Sequence, residues 1–390
     1  MQRARVGSSG SVVQAGRDLS LTIQHHVHPS SRAAVWLTRS GAGVLAVFTG
    51  IAVVAGVGTV VHGGALLRPV PAWIIPITGV LVAALVLHTG KRRRRGSARR
   101  VFLVVSAFSE KHWLAGFVQR LHGALDRSGI DLVLKVPDRD YDAAAQAHHM
   151  RRVLTARHDF VGGFVLAAEV HRMRRDLVEF CGESAVPVVF TDLEPFEGED
   201  QYPENAAFVG YLSADIGALA GQWLASYLRP RGLRQPHVLI VASLEHQDRQ
   251  TCCAEVLRHR VPDVDITIND GCAYRRSKAY DAVQSHIRLL DRRRGRLDAV
   301  FCTNDEMALG AVDALHAFAS PITAATVVIG VDGIPEVRTM IDAGTSPLRA
   351  TVVQDAHHLA ENAVHVLERM HDRRHVVKRT VLRPEVYQAE

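Results

Sequence analysis

From Val101 onward, short apolar runs rich in β-branched residues alternate with stretches of helical period, the pattern of parallel sheets joined by crossover helices. The first series predicts strands at Val101–Ser106, Asp131–Val136, Val161–Leu166 and Val186–Thr191, separated by helices near Trp113–Ser128, Tyr141–Arg157 and Val170–Cys181. A second series opens with Ala207–Tyr211 and a helix over Asp215–Leu228. It continues through strands at His237–Ala242, Val264–Ile268, Ala299–Thr303 and Thr326–Val331. Two similar α/β lobes are expected, together spanning residues 101–390.

A different pattern precedes them. Gly41 to Val61 carries no charged side chain and is long enough, as a helix, to cross the hydrocarbon core of a bilayer. A second apolar run, residues 70–88, follows a short link and has Trp73 near its start. Neither run has an amphipathic face, so a transmembrane hairpin within residues 36–90 is the expectation. A cleaved signal peptide does not fit an apolar run that begins some forty positions into the chain. Residues 1–35 are a polar segment with one brief alternating stretch, Leu19–Gln24, that can form a short strand. No helix-turn-helix pattern fits there.

Charge sharpens this division. The formal net charge is +6, but residues 1–100 hold 13 Lys and Arg against one acid, while residues 101–390 hold 33 basic against 39 acidic side chains. The long C-terminal part is therefore no nucleic-acid binder by charge. The basic excess gathers in the linker 91–100, at Lys91 to Arg95 with Arg99 and Arg100 behind, immediately after the second apolar run. Such a run is retained on the cytoplasmic side and can touch anionic lipid. The expected location is a multi-pass membrane protein with its binding domain facing the cytoplasm.

The five cysteines are odd in number and lack CxxC spacing, so free, mostly buried thiols are expected rather than a disulfide framework or zinc site. Of 21 histidines the tightest group is His25, His26 and His28, with no Cys or carboxylate to complete a ligand set. No nucleophile elbow, phosphate loop or metal set is present, so neither an enzyme nor a bound cofactor is expected.

In open sheets of this kind ligands bind beyond the carboxyl ends of the strands. Three such ends place polar side chains directly after an apolar run: TNDEMALG at 303–310, Gly330-Val331-Asp332-Gly333, and Thr351-Val352-Val353-Gln354. The stretch from Asp298 to Gln354 resembles the second lobe of ribose- and galactose-type periplasmic binding proteins and the sugar-sensing core of lac-repressor-family regulators. The similarity extends over residues 101–390. It implies a type I two-lobed module in which Asn304, Asp332 and Gln354 bond ligand hydroxyls, a role that planar amide and carboxylate groups suit chemically. The alternative is that these residues merely end strands in solvent. Asp305 has a plainer reading as the N-cap of a helix over Glu306–His316.

The resemblance carries further residues. Val104 to Trp113 is similar to the family's first strand and ligand loop, with Glu110 standing where an Asn is common and His112 where an aromatic is common. Trp113 either covers an apolar sugar face or is simply core. Asp192 matches the first-lobe carboxylate, although the customary Arg after it is Leu193. Arg249 is similar to the Arg that forks onto ring oxygens; a surface salt bridge is its other reading. Asp215 reads as a helix cap. Three chain crossings between lobes are implied, near Tyr211–Asp215, Asp332–Gly333 and Gln354–Asp355. The function implied is membrane-tethered sensing of a small polar ligand, a sugar or sugar-like compound, passed on to a protein partner by lobe closure. The alternative is the substrate-binding receptor of an ABC-type sugar importer. A transcription regulator would need the DNA-binding headpiece that residues 1–35 do not offer.

Overall fold

The computed structural model describes residues 99–107, 112–318 and 320–389. The expected hairpin, the N-terminal segment with its histidines, the linker up to Ala98, and Glu110 lie outside the described residues. Among the described residues no helix is long and apolar enough to cross a membrane.

Each lobe is a six-stranded sheet. The first contains β1 (Arg99–Val104), β2 (Ile130–Lys135), β3 (Gly162–Val165), β4 (Val188–Phe190), β5 (Ala206–Tyr211) and β11 (Arg379–Leu382), in the order β11-β5-β4-β3-β1-β2 and parallel throughout. The second contains β6 (His237–Val241), β7 (Asp265–Asn269), β8 (Ala299–Cys302), β9 (Val327–Asp332), β10 (Leu348–Val353) and β12 (Glu385–Gln388), in the order β12-β10-β9-β8-β6-β7. Here β12 alone runs antiparallel, against β10. The central strands are buried on both faces, which is why they read as unbroken apolar runs rather than alternating ones. Arg99 and Arg100, expected in the linker, instead open β1 and pair with Ile130 and Asp131.

Helices α1 (His112–Arg127), α2 (Ala143–Thr155) and α3 (Val170–Ser184) cover the first sheet. In the second lobe lie α4 (Ser213–Leu228), α5 (Gln247–Arg260), α6 (Arg276–Arg292), α7 (Asp305–Ala317) and α8 (Pro335–Ala343). The last helix, α9 (Ala356–His371), returns to pack on α1. In α1 the buried positions Leu114, Phe117, Leu121 and Leu125 recur every three or four residues, a helical stripe that faces the core, with α1 packed beside β2 and α9. Packing of α4 on α5 is closer. A Cβ at Gly217 would lie 2.2 Å from the Arg249 carbonyl oxygen, so glycine is what lets the α5 backbone approach.

The chain crosses between lobes three times: at Leu212 between β5 and α4, at Gln354–Asp355 between β10 and α9, and at Arg383–Pro384 between β11 and β12. Two expectations are corrected here. Strand β5 belongs to the first sheet, hydrogen-bonded to β4, rather than opening the second lobe. Asp332–Gly333 is not a crossing, because the chain runs on into α8, which packs on β10 and β12 of the same lobe. The true third crossing joins two four-residue strands whose apolar content is too slight to register as a run. Asp215 is not a cap either: α4 begins at Ser213, with Asp215 in its first turn. All five cysteines are free, four buried and Cys252 half-buried.

Candidate functional site

In both sheets the strand order reverses beside β1 or β6, and at such a switch point the loops after neighbouring strands diverge to leave a crevice. The carboxyl ends of the two sheets contribute to one open cleft, whose space counted with its mouth is about 480 Å³. From the first lobe it is lined by Ser106, His112, Trp113, Leu114, Tyr141, Leu166 and Asp192. The second lobe and the hinge supply His246, Arg249, Tyr274, Asn304, Glu306, Asp332 and Gln354. Of the eight residues singled out in the sequence, seven line this cleft; the eighth, Glu110, is outside the described residues.

The second-lobe half is built from bonds within that lobe. Asn304, not Asp305, is the N-cap of α7: its Oδ1 accepts the Met307 amide at 2.9 Å, so its Nδ2 is the part left for a ligand. Asp305 is fully buried behind it and accepts from the Ile334 amide and the Thr351 hydroxyl, both at 2.8 Å. It thereby ties the turn after β9 to β10. Gly330 makes room for it, since a Cβ there would lie 2.2 Å from Oδ1. Asp332 ends β9 at φ 117°, a conformation costly for a residue with a Cβ, and its Oδ1 accepts from Gln354 Nε2 at 2.8 Å. Burial pushes the Asp332 carboxyl up to about 7, against the pull of Arg249 and Gln354, and Asp192 adds to the rise.

Arg249 does not make the surface salt bridge that was its alternative reading. It is 3% exposed, donates from Nη1 to the Thr303 carbonyl at 2.8 Å, and has no protein partner at Nε. A buried guanidinium with an open donor is poised to fork onto a ligand oxygen.

The first-lobe half reaches across. His112, on the first turn of α1, donates from Nδ1 to the Glu306 carboxylate of the second lobe, and this contact raises the imidazole above its ordinary range. Trp113 donates from Nε1 to the Gln354 carbonyl at 2.9 Å while its ring stacks on Phe117 at 5.7 Å. It packs against the core, the second of its readings, and also lines the cleft. Asp192, at φ 72°, lies 3.6 Å from His246 Nε2, and His246 Nδ1 is 2.9 Å from the Ser213 hydroxyl at the first crossing. The rings of Tyr141 and Tyr274, both in the lining, have centroids 6.0 Å apart with their planes tilted by 44°.

Tyr141, His246, Tyr274 and Glu306 were missed in the sequence. His246 stands three positions before Arg249 and Glu306 two after Asn304, so taking every polar residue of the strand-end loops would have found both. Tyr141 and Tyr274 sit in loops after β2 and β7 with no motif around them. Among the described residues no group of three or more His, Cys, Asp or Glu is placed to hold a metal.

Comparison with known proteins agrees with this architecture. A Rhizobium meliloti protein named for rhizopine binding is 25% identical over 297 residues, covering 72% of this chain and 85% of its own length. The structure of an ABC transporter periplasmic solute-binding protein from Actinobacillus succinogenes with bound D-allose superposes with a TM-score of 0.65 at 15% identity, over 74% of this chain and 97% of that one. The Caulobacter myo-inositol binding protein gives 0.65 at 19% identity, over 75% and 94%. At these identities the structural likeness concerns the fold. The family assignment rests on residues 101–373, which match the periplasmic binding protein domain over both lobes. With two largely parallel sheets, three crossings and a cleft between strand ends, the chain belongs to the periplasmic binding protein domain family.

Proposed function

We propose that the cleft binds a sugar or sugar-like polyhydroxylated compound, and that lobe closure around it serves as a signal. The observation that carries this reading is the mixed lining of the cleft. Asn304, Arg249, Asp332 and Gln354 supply hydrogen-bonding groups, and Trp113, Tyr141 and Tyr274 supply aromatic rings. A pyranose or cyclitol offers a matching rim of hydroxyls and apolar C–H faces. The names of the relatives, which include rhizopine, allose and myo-inositol binding, support the same ligand class. Binding without turnover is part of the proposal.

The apolar runs at 41–61 and 70–88 are proposed to tether the chain in a membrane as a hairpin, with the basic run at 91–95 keeping the cleft on the cytoplasmic side. A protein partner would then read the closed state. The second reading, a receptor delivering substrate to an ABC-type importer, is favoured by the transporter description of the Actinobacillus structure. Membrane sidedness separates the two. Protease added outside intact cells should leave the domain whole if it faces inward; release of a soluble fragment would sink the sensor reading in favour of the receptor. Ligand binding is tested by calorimetric titration of the full-length chain in detergent with a panel of monosaccharides and inositols, where saturable binding to at least one is expected.

A further inference from the structure

A second cavity lies against the hinge. It is an open groove whose space counted with its mouth is about 1210 Å³, and it shares no lining residue with the cleft. All three crossings reach it, through Tyr211 beside Leu212, through Asp355 and through Arg383. At the end of β10 groove and cleft stand back to back: Val353 and Asp355 line the groove, while Gln354 between them lines the cleft. Groove residues also hold the backbone behind the cleft. The Gln354–Asp355 peptide gives its N–H to the Tyr211 hydroxyl at 3.1 Å and receives Trp113 Nε1 on its C=O at 2.9 Å. Arg338 donates from Nε to the Gly333 carbonyl at 2.8 Å, in the turn directly after Asp332. Asp332 and Gln354, bonded to each other in the cleft, are thus each backed by a side chain of the groove.

The chemistry of the groove favours an anion. With Nε tied to Gly333 and its guanidinium 5.1 Å from the centre of the Tyr387 ring, Arg338 is held in place while both its Nη groups lack a partner among the described residues. Arg383 is exposed and has neither a hydrogen bond nor an ion pair from its side chain among those residues. The lining also holds two acids. Asp355 is engaged as the cap of α9, its Oδ1 accepting the His357 and His358 amides at 2.8 and 3.1 Å, which leaves Glu385 as the open carboxylate. Two open guanidiniums therefore face one open carboxylate, beside the N-terminus of a 16-residue helix that carries His358 in its first turn. Guanidinium groups match the geometry of phosphate and carboxylate oxygens.

We propose that the hinge groove is a second ligand site, which takes a small compound bearing a phosphate or carboxylate group on Arg338 and Arg383 and regulates the cleft from behind. Arg338 is the link. An oxyanion held by its Nη groups bears on the Nε bond to Gly333, and so on the turn that sets Asp332. A body filling the groove bears in the same way on Tyr211 and Asp355, which fix the peptide that carries Gln354. Coupling of this kind is reciprocal, so whatever state of the cleft the effector favours also binds the effector more tightly. The site does not depend on which compound fills the cleft.

The test is calorimetric titration of the full-length chain in detergent with inorganic phosphate and, in a separate arm, with succinate, at an ionic strength held constant with chloride. At least one of the two should saturate a single site at about 10 mM or below. Arg383→Gln, which removes no bond of the fold, should weaken that binding at least about three-fold, whereas Arg258→Gln, at an exposed position of α5, should leave it unchanged. Hydrogen exchange at the backbone amides of Gly333 and Asp355 then reads the link to the cleft. With the probe bound, exchange at one or both should change by about three-fold or more. Failure of both probes to saturate, or saturation that Arg383→Gln leaves intact, would overturn the site. Binding with unchanged exchange at both amides would overturn the regulation and leave the site. Neither readout needs a cleft ligand, so failure here leaves the polyol reading in place, and a silent sugar panel leaves this site standing.

Discussion

The two halves of the cleft are held in place by different kinds of contact. In the second lobe, Asn304 caps its own helix, Arg249 bonds the Thr303 carbonyl, and Asp305 joins the turn after β9 to β10. Asp332 is held by Gln354 at the edge of the same lobe. These bonds do not span the cleft. In the first lobe, His112, Trp113, Asp192 and Tyr141 meet Glu306, Gln354, His246 and Tyr274, partners in the other lobe or at the hinge. Those contacts span the cleft, so on the proposed closure mechanism they would form as the lobes meet. Second-lobe residues should therefore govern stability and intrinsic affinity, and first-lobe residues the balance of open and closed states.

The contrast can be broken most forcefully at Asp305. Replacing it with Ala leaves two buried donors without acceptors, at roughly 1–3 kcal/mol each. Denaturant unfolding should show a loss of about 3 kcal/mol, with ligand affinity falling alongside. A loss below about 1 kcal/mol would mean the second-lobe half is not pre-built as described.

Asp332→Asn comes next. It should weaken ligand binding by about 1.5–3 kcal/mol, some ten- to 150-fold, read by calorimetry. It also has a pH signature. The buried carboxyl is pushed up to about 7 from 3.8, so as pH rises from 4 the unfolded chain ionises first and the ligand-free protein loses stability until about pH 7. The Asn variant should show a shallower fall over that window, not a flat line, because the Asp305 carboxyl is also raised by burial and by Asp332. An unchanged slope would exclude Asp332 as its source.

Smaller effects are expected from the first lobe. Trp113→Phe removes the bond to the Gln354 carbonyl while keeping an aromatic ring, and should cost about 1 kcal/mol in ligand affinity with little change in unfolding free energy. Equal losses in both measurements would make Trp113 a core residue first. The smallest effect belongs to His112, which is 68% exposed, so solvent screening holds its pairing with Glu306 below about 1 kcal/mol. Because the contact raises the imidazole, its contribution is complete below pH 6.5 and lost as pH rises through the elevated value. Wild-type affinity should show a component up to about two-fold tighter at pH 6 than at pH 8, and His112→Gln should lack it.

Much of the fold was legible because its signals are local. The central strands of both sheets lie where buried parallel strands read as apolar runs, and helices such as α1 announce themselves by a repeating stripe. Helix α5 did not, because the residues it turns inward include Arg249 and Gln250 beside Cys253 and Leu257. Strands β11 and β12 are short and mixed in polarity, and with them went the third crossing. Within the cleft, Asn304, Asp332 and Gln354 were visible as polar residues ending apolar strands. That Asn304 is a cap, that Asp305 is a buried brace, and that Asp192 and Asp332 take up positive φ were not, because each depends on what packs behind the residue.

What the sequence by itself determined is the alternation of strand and helix, the two-lobed α/β class, and the chemistry at the strand ends, all written in spacings of a few residues. Only the tertiary structure decided which sheet β5 joins, where the chain crosses, and which side chains meet across the cleft. His112 and Glu306 stand 194 positions apart, and Trp113 and Gln354 241. No periodicity links such positions; they are brought together by the summed packing of two sheets and three crossings, of which each residue contributes a small part.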